Sequence, residues 1–321
     1  MIQYANRAVP RADLGAAAQE FVMNEADFVA SEVLPDSSVQ QKAAYIAVIT
    51  REGITREVDA KRQAGGGYNR DSFNAEDMEY ACVEYGLEGA VEDSRRREYA
   101  SDFDAELVTV QSITRKLLVQ REKRVAAAVF NATTWDSGDA TLYTDLSSTA
   151  PWTTAGSAIR SFLNIAKEVV RVNCGLEPNA LVINKVNMDR LVATDELRDA
   201  IKYTARPSDA EVRSAIADYL GLERVIVAKA TTNSAKEGQT FVGAAIWSNL
   251  YAMLAVISSG GAMPTPGIGR SPLWAPDSPT PIVVESYREE QTRNEIFRVR
   301  HTIDELIVDK YFGHLLKVAA S

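Results

Sequence analysis

The chain has 321 residues, 46% hydrophobic and 25% charged, which is enough apolar material for a sizeable core in one or two domains and too much for a disordered tail. A formal net charge of −9 excludes the basic field that drives tight, non-specific binding to nucleic-acid phosphates. Only Cys82 and Cys174 occur, far apart and outside any CxxC pair, which excludes a disulfide framework and a zinc ribbon; the longest apolar stretch, Phe241 to Ile257, is broken by Gly243, Ser248 and Asn249, which excludes a membrane span.

The N-terminal sequence MIQYANRAVPRADLGAAAQEF lacks an apolar h-region, so the chain is expected to be made in the cytoplasm and not secreted. Residues 1–35 mix short apolar groups with charges up to Leu34-Pro35 and read as an arm with one short helix, Ala16 to Ser31, rather than as a core element. Two strand-like runs follow, Ala43 to Ile49 and Met78 to Tyr85. Between them, REGITREVDAKRQAGGGYNRDSFNAED is polar, charged and centred on Gly65, Gly66 and Gly67, with almost nothing to bury. A long polar connection between two strands signals function or partner contact, and an extended β-hairpin reaching away from the body is expected.

Asp93 or Ser94 can cap a helix expected from about Arg95 to Asn131, in which Phe103, Leu107, Val110, Leu117, Leu118, Val125 and Val129 recur near helical spacing. Arg115, Lys116, Arg121, Glu122, Lys123 and Arg124 would form its solvated or interface-facing side, making the helix a stiff strut. After a connector, Ala132 to Thr154, element types alternate. Helices are expected at Gly156 to Val172, Val186 to Tyr203 and Ser208 to Leu220, and strands at Ala180 to Asn184 and Arg224 to Lys229. Thr240 to Ile257 reads as one or two buried strands, and the Gly- and Pro-rich SSGGAMPTPGIGRSPLWAPDSPTP as irregular. Strand-like runs from Thr280 to Lys317 close the chain.

Catalytic patterns fail on mechanism. Gly267-Ile268-Gly269 resembles half of a dinucleotide fingerprint, but Pro272 and Pro276 bar the helix that must follow, and Gly65 to Gly67 lacks the Lys-Ser or Lys-Thr of a phosphate loop. His301 and His314 lack metal-ligand spacing and read as hydrogen-bonded structural residues, and Cys82 and Cys174 as buried thiols. The sequon Asn131-Ala132-Thr133 reads as a helix C-terminus. No catalytic, metal or cofactor residue is assigned, and an enzyme is not expected.

The order of arm, long hairpin, long helix, α/β domain and returning strands resembles the major capsid proteins of tailed bacteriophages, the HK97-type fold shared with encapsulin shells. LEPNALVINKVNMDRL, Leu176 to Leu191, looks like that family's Gly-x-x-Pro-Asn-x-x-Val-x-Asn segment, and EIFRVRHTIDELIVDKYFGHLL, Glu295 to Leu316, like its closing peripheral strands. The resemblance implies an α+β fold with an N-terminal arm at 1–42, an E-loop hairpin at 43–85, and a P-domain with spine helix at 86–153. An axial A-domain at 154–279 and P-domain return strands at 280–321 would follow, with Gly260 to Pro281 near a capsomer axis.

It further implies a structural subunit of the virion, synthesised in the host cytoplasm, that assembles with itself into pentamers and hexamers of an icosahedral head around double-stranded DNA. Contact with the DNA would be weak and non-specific, which suits an acidic chain, and no membrane is involved. Met1 leads directly into a short arm, so a separate scaffolding protein is expected, with a portal and decoration proteins as further partners. The inter-subunit candidates are Arg62, Gly65, Gly66, Gly67 and Arg70 on the hairpin; Lys61 and Asn69 lie beside them without an assigned cross-link. The rival readings are an encapsulin-type compartment around protein cargo and a soluble α/β enzyme with a site near Gly260 to Gly269.

Overall fold

A computed structural model describes residues 8–24, 27–49, 51, 56–57, 59–62, 66–70, 75–100, 104–136, 142–201, 208–258 and 265–320. In chain order the strands are β1 (Val9–Pro10), β2 (Asp36–Val39), β3 (Ala43–Ile49), β4 (Ala75–Ala81), β5 (Val83–Glu92), β6 (Tyr143–Asp145), β7 (Ala180–Asn184) and β8 (Arg224–Ala228). They continue with β9 (Thr231–Asn233), β10 (Gly243–Ala245), β11 (Tyr251–Ala255), β12 (Gly269–Trp274), β13 (Val283–Glu289), β14 (Asn294–Ile303), β15 (Leu306–Ile307) and β16 (Gly313–Lys317).

One sheet is built on β14, which pairs antiparallel with β13 on one edge and with β5 on the other, the latter from Val83↔Ile303 to Glu92↔Asn294. Strands alternate faces, so Val284, Phe297, Val299 and Val91 all turn to one side, where they meet Val110, Ile113 and Leu117 of the spine helix Ala105–Val129. Gly89 permits this approach: a Cβ there would lie 2.4 Å from Cδ1 of Ile113. The continuous helix expected from Arg95 to Asn131 is instead two, Asp93–Tyr99 and Ala105–Val129. Asp104 is extended, and its carboxylate accepts the Glu106 N–H at 2.9 Å, so it starts the second helix as an N-cap.

The second sheet runs β6-β16-β11-β7-β8, with β7 and β8 parallel. All five residues of β7 are buried, because each face has its own core. On one side Leu181 and Ile183 pack with Leu163 of the helix Ile159–Cys174 and Ile216 of the helix Asp209–Leu220. On the other, Ala180 and Val182 pack with Val125 and Val129 of the spine helix and with Val33 and Leu34. Gly175 (φ 75°) and Gly221 (φ 63°) terminate those two peripheral helices in the left-handed conformation, and a Ser208–Glu211 capping box starts the second. Within the quoted Leu176 to Leu191 segment, Asn179 ties strand ends together, its side chain bonding both N–H and C=O of Ile257, and Asn184 caps the helix Lys185–Ala193 through the Asn187 N–H. The helix expected to run from Val186 to Tyr203 breaks at the buried Thr194, whose hydroxyl donates to the Leu191 carbonyl, and resumes as Asp195–Ile201.

Several expectations need correction. Residues 1–42 are not wholly an arm: the helix Ala12–Asn24 buries Leu14 and Ala18 against the spine helix, Val29 to Leu34 join the central core, and β2 pairs with β12. The segment expected to be irregular contains β12, in spite of Pro272. The N–H groups of Ser271 and Ala275 point to β2, so the proline nitrogen points the other way, where β14 has ended and β15 has not begun. The sheets also cross the boundary at 279/280: β12 lies with β13 and β14, whereas β16 and β6 lie in the α/β sheet. Asn131 accepts the Thr133 N–H and caps the helix Ala132–Trp135, so it starts a helix rather than ending one.

The charged side of the spine helix is only partly a solvated one. Arg115, Lys116 and Lys123 are exposed, but Glu122 is fully buried and Arg121 nearly so. Glu122 accepts the backbone N–H of Val29 at 3.1 Å and of Ala30 at 2.9 Å, and the indole N–H of Trp247 at 2.5 Å. Burial raises its pKa above the carboxylate range, against the lowering by these donors. Arg121 pairs with Asp36, and Arg124 makes a bidentate pair with Glu305 at 2.6–3.1 Å while stacking 3.7 Å from the Tyr85 ring centroid. One carboxylate therefore joins the N-terminal segment, the spine helix and the α/β domain.

Candidate self-association surface

Among the described residues, strands β3 and β4 pair only with each other, from Ala43↔Ala81 to Ile49↔Ala75, and leave the body as a two-stranded ribbon. Their root is fixed. Ala44 and Ile46 face a small core of Val39, Tyr80, Cys82, Trp274 and Leu306. The Tyr80 hydroxyl donates to the Gln41 carbonyl at 2.9 Å, the Trp274 indole to that of Gln40 at 3.1 Å, and the Ala81 N–H to Asp304 at 3.0 Å. Burial pushes the Cys82 thiol up to about 11, so it is inert packing and not a nucleophile. Farther out the apolar support ends, and Tyr45 is 69% exposed. A cleft of about 520 Å³, lined by Val48, Met78, Ile307 and Tyr311, separates ribbon from body, with the Arg51 guanidinium 3.6 Å from the Tyr311 ring centroid.

At the tip, the Arg62 Nε donates to the Gly66 carbonyl at 2.8 Å, and its guanidinium lies 4.6 Å from the ring centroid of Tyr68, itself 76% exposed. Gly67 has no atom within 4 Å of where its Cβ would stand. Arg70 is exposed, and Gly65 lies outside the described residues. Lys61 and Asn69 both turn to Asp59, the Lys61 N–H onto its carboxylate at 2.9 Å and the Asn69 amide onto its carbonyl at 2.7 Å. Four of the expected contact residues thus stand on one exposed tip: Arg62 and Gly66 touch, Gly67 lies open, and Arg70 stands apart.

A second surface was not read from the sequence. The face of the β13-β14-β5 sheet turned away from the spine helix carries Glu84, Glu88, Glu92, Glu285 and Glu289 against Arg298 and Arg300. Arg298 Nε donates to Glu88 at 2.8 Å and Arg300 Nη2 to Glu285 at 2.7 Å. Glu84, Glu92 and Glu289 make no ion pair with a described residue, so the face is acidic. The spacing of Glu84, Glu88 and Glu92 was the available signal, since even spacing in a strand puts all three on one side. Nearby, Arg288 holds Asp93 with two bonds of 2.7 Å and keeps its carboxyl at about 2.

The histidines are structural residues. His314 is buried with its Nε2 2.9 Å from the Thr144 hydroxyl, and burial lowers its pKa to about 4. His301 packs edge-on to Tyr85, and burial, reinforced by Arg121 and Arg124, lowers its pKa to about 3. No cluster of His, Cys, Asp or Glu among the described residues is arranged to hold a metal. At the rival enzyme site, Gly267 and Gly269 serve close packing: a Cβ at Gly269 would lie 2.3 Å from the Leu306 carbonyl oxygen.

No protein-family model matches the sequence. Part of it is similar to the major capsid protein of Burkholderia phage BcepMu, 28% identical over 184 residues, or 56% of this chain and 57% of that protein. The chain therefore spans little more than half the length of this relative. The structure is similar to a phage-related protein from Bordetella bronchiseptica, with a TM-score of 0.75, 18% identity and 98% of both chains covered. It also resembles the capsid of the cyanophage P-SCSP1u, with a TM-score of 0.57, 12% identity and coverage of 90% of this chain and 87% of that one. The chain has the HK97-type capsid fold. The ribbon β3-β4 falls in the segment expected as the E-loop, the sheet around β14 and the spine helix fall mostly in those expected as the P-domain, and β7, β8 and β11 with their helices fall in that expected as the A-domain.

Proposed function

We propose that this chain is a phage major capsid protein, a non-enzymatic subunit that associates with itself into pentamers and hexamers of an icosahedral head enclosing double-stranded DNA. The observation that carries the reading is the ribbon of β3 and β4, which is packed against the body at its root and whose described tip residues Arg62, Gly66, Tyr68 and Asn69 bond only within the tip among the described residues, on a fold shared over 90% of this chain with a cyanophage capsid. A closed shell needs each copy to reach several neighbours through unlike surfaces, and a projecting ribbon supplies such contacts at a distance.

Charge supports the same reading. From Arg56 to Asp71 the ribbon carries Arg56, Lys61, Arg62 and Arg70 against Glu57, Asp59 and Asp71, a small basic excess, and the acidic face of the P-domain sheet is the surface proposed to receive it from a neighbouring copy. A scaffolding protein, a portal and decoration proteins are the further partners expected, and contact with packaged DNA is weak because the chain is acidic overall.

The test is limited trypsin digestion of isolated subunits and of particles, with negative-stain microscopy of both. Cleavage after Arg62 or Arg70 is expected in the subunit and protection in the particle. Equal cleavage in both forms would refute the ribbon as an interface, and a protein that forms neither rings nor shells, with or without a scaffold, would refute the capsid reading. Particles that contain protein cargo and no nucleic acid would move the assignment to an encapsulin-type shell.

A further inference from the structure

Where the N-terminal segment, the spine helix and β14 come together, the protein encloses a cavity of about 130 Å³. Ala30 and Asp36 wall it from the N-terminal segment, Leu118, Arg121 and Glu122 from the helix, and His301 from the sheet. Apolar walls alone would keep such a space dry, but two of these side chains carry nitrogens with nothing to bond. Arg121 is 5% and His301 1% exposed, and neither Arg121 Nε nor His301 Nε2 has a hydrogen-bond partner among the described residues. Buried polar atoms are nearly always satisfied, so each of the two calls for a partner inside the cavity.

The charges on the walls are already met. Both terminal nitrogens of Arg121 donate to Asp36, and Glu122 accepts three N–H groups, from Val29, Ala30 and Trp247. His301 is neutral, because burial, with Arg121 and Arg124 nearby, lowers its pKa to about 3. An anion would meet two carboxyl groups, and a cation the Arg121 guanidinium, in either case without a free countercharge. An apolar guest would leave both nitrogens unbonded. What the walls lack is an uncharged group that accepts from Arg121 Nε–H and can either donate to His301 Nε2 or accept from it. Water does both, and the cavity is several times the roughly 10–15 Å³ that one molecule requires.

We propose that this cavity is a binding site for ordered water, with one molecule hydrogen-bonded to Arg121 Nε and linked, directly or through a second, to His301 Nε2. Among the described residues no side-chain bond joins Arg121 to His301, so the solvent completes the junction between the spine helix and β14 at the point where the N-terminal segment crosses it. Every group in the site belongs to one subunit, so the inference stands or falls apart from the capsid reading.

The experiment is a density map of the full-length protein, from crystals of the subunit or from particles, at a resolution that shows ordered solvent. Water peaks within hydrogen-bond distance of Arg121 Nε and of His301 Nε2 are expected. A map in which either nitrogen faces no peak, or in which an ion or an organic molecule fills the cavity, would overturn the inference. In parallel, His301→Phe keeps an aromatic ring and removes the nitrogen. With water bound, the change breaks a bonded network and the melting temperature at pH 7 is expected to fall; in a dry cavity it relieves an unbonded polar atom. An unchanged or raised melting temperature would therefore also overturn the inference, and if the variant does not fold the map of the parent decides alone.

Discussion

The projecting ribbon β3-β4 and the spine helix are both long and both rich in charge, yet their charged residues do opposite things. On the ribbon, Arg62, Arg70 and Tyr68 stay exposed and the nearest partners are local. On the helix, Arg121, Glu122 and Arg124 turn inward and reach residues far away in sequence, Asp36, Trp247 and Glu305. A polar residue on a two-stranded ribbon has no second layer to be buried in, whereas one on a helix between two sheets must find a partner or unfold the junction. Mutations on the helix should therefore cost stability, and mutations on the ribbon tip should cost only assembly.

The sharpest break in this comparison is Glu122→Ala. It leaves the buried N–H groups of Val29, Ala30 and Trp247 without an acceptor, and about 3–5 kcal/mol of subunit stability is expected to disappear in urea titrations. Glu122→Gln keeps one acceptor oxygen and should lose less. A Glu122→Ala subunit with unchanged stability would show that this junction is not held by the carboxylate.

Acid should act on the body and spare the ribbon. His301 and His314 have folded pKa values lowered to about 3 and about 4, so the unfolded chain binds their protons first. Their contribution is complete above the ordinary histidine value of about 6.5 and is lost as pH falls through the folded values, with a slope of up to about 1.4 kcal/mol per pH unit for each imidazole. The raised carboxyls of Glu122 and Asp309 work in the opposite sense, because the folded state holds their protons to higher pH. Unfolding curves between pH 7 and 4 should show falling stability in the parent and a flatter profile in His301→Gln combined with His314→Gln.

Smaller effects sharpen the contrast at single glycines. Gly89→Ala pushes a methyl into Ile113 and Thr109 and is expected to cost about 1–3 kcal/mol, while Gly67→Ala, with open space around it, should leave the melting temperature in place. The smallest stability effect, within about 0.5 kcal/mol, is expected for Arg62→Glu with Arg70→Glu at the exposed tip. The same pair should nevertheless slow or abolish particle formation as followed by light scattering.

Strands β3 and β7, the helix Asp209–Leu220 and the exposure of Arg62 and Arg70 were legible in the sequence, because hydrophobic period, caps and glycine turns act over a few residues. The break of the spine helix at Asp104 was within reach of the same reasoning, since an aspartate before a helical run is a cap signal that competes with the apolar period. The acidic face of β5 was visible in its spacing but gained meaning only when β13 and β14 added Glu285 and Glu289 beside it.

What only the tertiary structure decided are the pairings between distant segments. Residues Val29 to Leu34 look like part of a mobile arm until the spine helix presents Glu122 to their N–H groups. Pro272 argues against a strand until β14 is seen to end where its missing N–H would point, and Gly313–Lys317 reads like its neighbours β13 and β14 yet completes the other sheet. By itself the sequence determined the type of most segments, such as β3, β7 and the helix Asp209–Leu220, because those preferences are local. The side on which a charge is buried, and the sheet a strand joins, depend on contacts made hundreds of residues apart along the chain, and no local pattern carries that information.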